Sequence, residues 1–165
     1  MSRRYDADRA ECLVLAFREG LLAAVGHDVA LRVGRFTVDI GDDDAISAEL
    51  DAASLRVAGA AVSPADARKI ERSTATDVLE ARRFPLIRFR STRVVRDGER
   101  ARVDGELTLH GVTRPLAFDA VADEGDWHAE VRLDQRHFGI KPYVALLGAL
   151  RVRAELLVRL RLPRA

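Results

Sequence analysis

The sequence predicts an all-β protein, an extended antiparallel β-barrel of about eight strands with one inserted helical segment, forming a single domain over residues 1–165. Three observations carry this. Apolar residues alternate with polar ones, the period-2 signature of a strand with one covered face, in segment after segment. Only the stretch after Ser63 changes to a helical period. No parallel crossover repeat, internal repeat or low-complexity tract interrupts the series, so the strands pair antiparallel.

Taken in order, the first strands are marked by Leu13/Leu15/Phe17, Val29/Leu31/Val33, Phe36/Val38/Ile40 and Ile46/Ala48/Leu50, each bounded by Gly or Asp clusters that read as turns. Gly41-Asp42-Asp43-Asp44 is a short, glycine-led hairpin loop; a calcium loop needs further oxygen ligands at set offsets and a closing glutamate, which are missing from the sequence there. At Ser63-Pro64-Ala65-Asp66 a capping hydroxyl, a proline at the first helical position and a first-turn carboxylate start a helix. Ile70, Thr74, Val78 and Leu79 share one face of it, a break is expected near Ser73 to Thr76, and Pro85 ends it by disfavouring the α region at Phe84. Phe84 to Thr92 resumes extended. Asp104 to Phe118, DGELTLHGVTRPLAF, writes two strands and their corner, with the turn placed between Gly111 and Pro115. WHAEVRL follows. The last strand is the cleanest, with Leu150, Val152, Ala154, Leu156, Val158, Leu160 and Leu162 opposed to a charged row led by Arg151, Arg153, Arg159 and Arg161. That charged row reads as a solvated outer face.

Composition narrows the function classes. Hydrophobic residues at 48% and charged ones at 32% mark a globular protein, and a net charge of +1 gives no field for nucleic acid. No apolar run reaches the roughly 20 residues needed to cross a bilayer, so stable membrane insertion is not expected. The N-terminal stretch turns acidic before its short apolar part, which points to the cytoplasm. Cys12 is the only cysteine, and its apolar neighbours make it a buried small hydrophobe rather than a reactive thiol.

Of the four histidines, His27 follows Gly26 and precedes Asp28 at an expected barrel rim. His110 and His128 read as surface residues, while His137, before Phe138, is placed at the opening into which Lys141, Pro142 and Tyr143 lead. They form no H-x-H or H-x-x-x-H pair, and the sequence has no nucleophile elbow or phosphate-cradling loop; neither a metal nor a cofactor is expected.

The P-x-I-x-F-x-S strand at Pro85 to Ser91, the G-x-L-T-x-x-G-V-T-x-P hairpin from Gly105 and the late F-G-I at Phe138 resemble the YceI-like, polyisoprenoid-binding family in both order and spacing. Gly26-His27-Asp28 is similar to a variant pattern within it, and the helix resembles the family's inserted one. The resemblance implies a lipocalin-like barrel holding a long apolar chain in its lumen. A barrel of about eight strands is either filled by side chains or holds one small ligand, and periodicity does not choose between these.

The first functional expectation is therefore a non-enzymatic carrier that sequesters an apolar isoprenoid-like molecule, an isoprenoid quinone or polyprenyl lipid. Alternation makes Phe36, Phe89, Leu107, Leu109, Phe118, Phe138, Tyr143 and Leu147 its candidate lining, with His27 at the ligand's polar end. Each buried methylene contributes about 0.8 kcal/mol, so shape and apolar lining suffice for tight binding. The segment Tyr143 to Leu150 reads either as a core connection or as an apolar gate over the lumen. Two alternatives stand beside the carrier. One is a hydrolase-like enzyme using His27 or His137 as base; the other is a filled barrel acting as a scaffold or dimerisation module, and a homodimer is compatible with the sequence.

Overall fold

Twelve antiparallel strand segments form one sheet that curls around an apolar interior. The computed structural model describes residues 1–19, 28–59, 62–145 and 150–164. In chain order they are β1 (Arg3–Asp6), β2 (Glu11–Glu19), β3 (Val29–Val33), β4 (Phe36–Ile40), β5 (Ile46–Asp51) and β6 (Leu55–Val57), then helix α1 (Pro64–Ser73), then β7 (Leu86–Asp97), β8 (Arg100–Leu109), β9 (Val112–Ala122), β10 (Asp126–Asp134), β11 (Val144–Ala145) and β12 (Leu150–Pro163). The pairing path is β1-β4-β5-β7-β8-β9-β10-β12-β2-β3-β6, with β11 attached to β12.

The count of about eight needs correcting to twelve, and the reason is visible at two corners. The amide of Gly34 donates to the Ser54 carbonyl at 2.8 Å and that of Asp51 to the Arg35 carbonyl at 3.0 Å, so pairing continues around the bend. Thus β3 with β4, and β5 with β6, act as two long bent strands whose corners join the two ends of the path. With β2, β7, β8, β9, β10 and β12 these make eight long strands. The segments sequence reading missed, β1, β6 and β11, run 4, 3 and 2 residues, too short to show a period.

Two further differences have local causes. The β8–β9 hairpin closes at Leu109 and Val112, with His110 (φ 54°) and Gly111 (φ 73°) both left-handed, as a two-residue primed turn requires. Pro115 therefore lies within β9 rather than closing the corner. It faces Glu106 at a non-hydrogen-bonded position, so its nitrogen points to the edge of β9 that pairs with β10 only from Ala120 to Ala122. In β2 the lumen-facing row is Cys12, Val14, Ala16 and Arg18. The alternating set Leu13/Leu15/Phe17 faces outward, because this strand is apolar on both sides.

The helix starts as its cap dictates, the Ser63 hydroxyl accepting from the Asp66 amide at 3.2 Å. It passes into a wider π-type turn at Thr74–Val78, where the expected break falls. The hydroxyls of Thr74 and Thr76 donate back to the carbonyls of Ile70 (2.7 Å) and Arg72 (2.8 Å), bonds that compete with regular helix. The Glu71 carboxylate accepts from the Val57 amide at 3.1 Å and ties the helix to β6.

Candidate functional site

The lumen is a cavity of about 680 Å³, within the range of small-molecule sites. Strand alternation builds its wall: Val29, Leu31 and Val33 come from β3, Ile46, Ala48 and Leu50 from β5, Trp127, Ala129, Val131 and Leu133 from β10, and Val158, Leu160 and Leu162 from β12. Ile70, Val78 and Leu79 of the helical segment cover one side.

Gly105 shapes the wall. It lies on the inward row of β8, and a Cβ there would come within 2.5 Å of the Phe89 ring. Its missing side chain lets Phe89 lie across the sheet and meet Phe118, ring centroids 5.7 Å apart. Cys12 lines the same space, and burial, with Glu11 adding to it, pushes its thiol up to about 12. It is protonated and apolar at neutral pH.

Charged residues line the lumen toward its two ends and along α1, which contributes Asp66 and Lys69. Arg96 approaches Asp44 at 3.7 Å and lies 5.2 Å over the Trp127 ring, at the end that also holds Arg3. At the other end are Arg18 and Arg151, the latter 3.1 Å from Glu19. Between the rims the wall carries one buried polar side chain among the described residues, Gln135.

Phe36, Phe89, Leu107, Leu109 and Phe118 all stand on the lumen wall, and Tyr143 reaches it from the lip while 46% exposed. Phe138 does not. It is buried in the core, and the turn Gln135–Phe138 instead presents Gln135 to the lumen, with Ile140 just after it. His27 and Leu147 lie outside the described residues, as does most of the apolar segment leading to Leu150; its described start, Tyr143 and Val144, is exposed. The wall residues of β10 and β12 were legible as alternation but not singled out. Gln135, a lone polar residue in a short turn, gave no signal.

Two of the three described histidines, His110 and His137, fall differently from expectation. His110 is not on the surface: its side chain is 13% exposed and is held by Glu80 and by the Phe138 carbonyl. It faces away from the barrel exterior because the primed turn reverses the chain over Phe84, whose ring centroid is 4.6 Å away. His137, expected at the opening, is 58% exposed, 3.9 Å from Asp134 and off the lumen wall. His128 sits at the rim with its Nε2 2.9 Å from Asp123. Among the described residues the histidine ring nitrogens meet only carboxylates and a backbone carbonyl.

A curled antiparallel sheet around an apolar lumen defines a protein of the cavity-bearing, all-β class. The YceI-like domain model matches residues 16–162, and the chain belongs to that family. It is 33% identical over 121 residues to a UPF0312 protein of Pseudomonas putida (strain W619), covering 66% of this chain and 59% of that protein. It is 33% identical over 75 residues to Protein YceI of Escherichia coli O157:H7, covering 39% of each. The alignments thus span about three-fifths of the former relative's length and about two-fifths of the latter's. Among solved structures the fold is shared with BcnA of Burkholderia cenocepacia (TM-score 0.70, 13% identity, covering 94% of this chain and 96% of that one). It is also shared with a protein from Saccharophagus degradans described as a polyisoprenoid binding domain (TM-score 0.61, 11% identity, 95% of both chains).

Proposed function

We propose that this protein is a carrier that sequesters one long apolar isoprenoid-type lipid, a quinone or polyprenyl chain, in its lumen. The observation that carries the reading is the cavity of about 680 Å³ whose wall is largely apolar between two charged rims. A filled barrel would have no such space. Every methylene moved from water into this lumen contributes about 0.8 kcal/mol, so a chain of a few isoprene units binds without a polar constellation. The rim charges keep water at the ends and leave the middle dry. Membership in the family and the Saccharophagus degradans neighbour support the same ligand class.

The carrier is taken to work in the cytoplasm, which fractionation of the producing cells tests. No helix among the described residues is long and apolar enough to cross a membrane. A homodimer would use the outward stripe Leu13, Leu15 and Phe17 beside the buried Leu157, the apolar surface on the outside of β2 and β12. The decisive experiment is organic extraction of protein purified without detergent, followed by mass spectrometry. A stoichiometric isoprenoid lipid is the expected result; extracts holding no lipid, from a protein that also takes up none, would overturn the proposal.

A further inference from the structure

Gln135 is 3% exposed and stands on the lumen wall, where its amide nitrogen donates to the Arg153 carbonyl at 3.0 Å. Arg153 lies in the irregular stretch of β12 between Val152 and Leu156, where β12 leaves its register with β2. The side-chain amide therefore supplies a donor to a carbonyl that the ladder leaves over. A carbonyl only accepts, so this bond fixes which end of the amide is nitrogen and turns the oxygen, Oε1, the other way.

That oxygen has no donor among the described residues, and among them no side-chain nitrogen or oxygen sealed from solvent lacks a partner. Oε1 is thus not sealed in the wall but open to the cavity that Gln135 lines. It leaves an acceptor, and a second N–H beside it, facing a largely apolar space. An apolar chain pressed against this group would strip it of water and return nothing.

We infer that Gln135 reads the terminus of the bound lipid, and that the lipid ends in a hydroxyl. This rests on the carrier reading and narrows it. A hydroxyl donates to Oε1 and can accept from the remaining N–H. Quinone oxygens, ethers and plain hydrocarbon ends only accept or do neither, so they leave Oε1 unpaired. Within the isoprenoid class the lumen therefore favours prenols and quinols over quinones, and the chain lies with its hydroxyl toward the Gln135 turn and its tail toward Trp127.

The test compares radiolabelled geranylgeraniol with its methyl ether, which has the same chain but no donor, by equilibrium binding to the delipidated full chain. Wild type is expected to prefer the alcohol by on the order of ten-fold. Gln135→Met is expected to lose the preference for the alcohol and to bind the ether more tightly than wild type does, since no stripped amide remains, with its fold checked by circular dichroism. Equal binding of the two ligands by wild type overturns the inference while leaving the carrier intact. So does a preference that survives in Gln135→Met. Binding of neither ligand sinks the carrier reading and this inference with it. Should Gln135→Met fail to fold, the wild-type comparison decides alone.

Discussion

His110 and Glu80, separated by 30 positions in the chain, hold each other across the seam between the helical segment and the β8–β9 hairpin. The ring's Nε2 meets the Glu80 carboxylate, and its Nδ1 donates to the Phe138 carbonyl at 3.2 Å, so one imidazole joins three segments. Both residues are left-handed, His110 at φ 54° and Glu80 at φ 47°, a conformation that non-glycine residues adopt at a cost and keep where their surroundings demand it. His110→Ala is expected to lower stability by about 1–3 kcal/mol by leaving the carbonyl of the buried Phe138 without its donor. Urea unfolding measures this. Ligand affinity should stay unchanged, because the pair lies off the lumen wall.

Gly105 and Phe89 predict a coupled defect. Gly105→Ala meets both the Arg90 carbonyl and the Phe89 ring, and should cost about 1–3 kcal/mol or more, as overpacking does. Adding Phe89→Ala to that variant should recover part of the loss, giving a favourable coupling in a double-mutant cycle. Strict additivity in the unfolding data would show that the glycine serves the backbone and not the ring.

Cys12 offers a chemical view of the lumen. With its thiol pushed up to about 12, the thiolate fraction at pH 8 falls on the order of 10³-fold below that of an ordinary cysteine. Iodoacetamide should therefore label the native protein at least that much more slowly than the urea-unfolded chain. Comparable rates would place Cys12 outside the sealed wall.

Two surface carboxylates contribute to the acid limb of stability. Asp134 is lowered to about 2, chiefly by hydrogen bonding from Arg136, and Asp123 to about 2, chiefly by the backbone amides of Asp126 and Gly125. Each is depressed from the usual 3.8, so its contribution is fully present above that value and is lost as pH falls through about 2. The double variant Asp123→Asn/Asp134→Asn should unfold with a flatter pH dependence between pH 4 and 2. An unchanged acid limb would assign it to other groups.

Much of this architecture was legible because its long strands alternate. The rows of β4, β5, β8 and β12 read directly, and the capped start of α1 followed from Ser63 and Pro64. What escaped had no period to read. The segments β1, β6 and β11 are too short, and β2 is apolar on both faces, so its alternation pointed to Leu13 and Leu15 where the lumen takes Cys12 and Val14. Phe138 and Gln135 sit in one turn of four residues, where burial depends on contacts distant in sequence; the aromatic residue was expected on the wall, and the amide took that place. His110 was misread for a related reason, since its partner Glu80 comes from another part of the chain.

Filling the lumen tests the central claim most directly. Val158 points into the cavity from β12, and Val158→Trp puts an indole where the chain of the ligand would lie. Removing empty apolar space should leave stability equal or raised by about 0.5–2 kcal/mol. Native mass spectrometry of the two proteins, purified side by side and incubated with a prenol series, should show one lipid bound per wild-type chain and none on Val158→Trp. Equal lipid loading of both proteins, or a wild-type chain that stays bare throughout the series, would contradict the account of this barrel as a lumen-binding carrier.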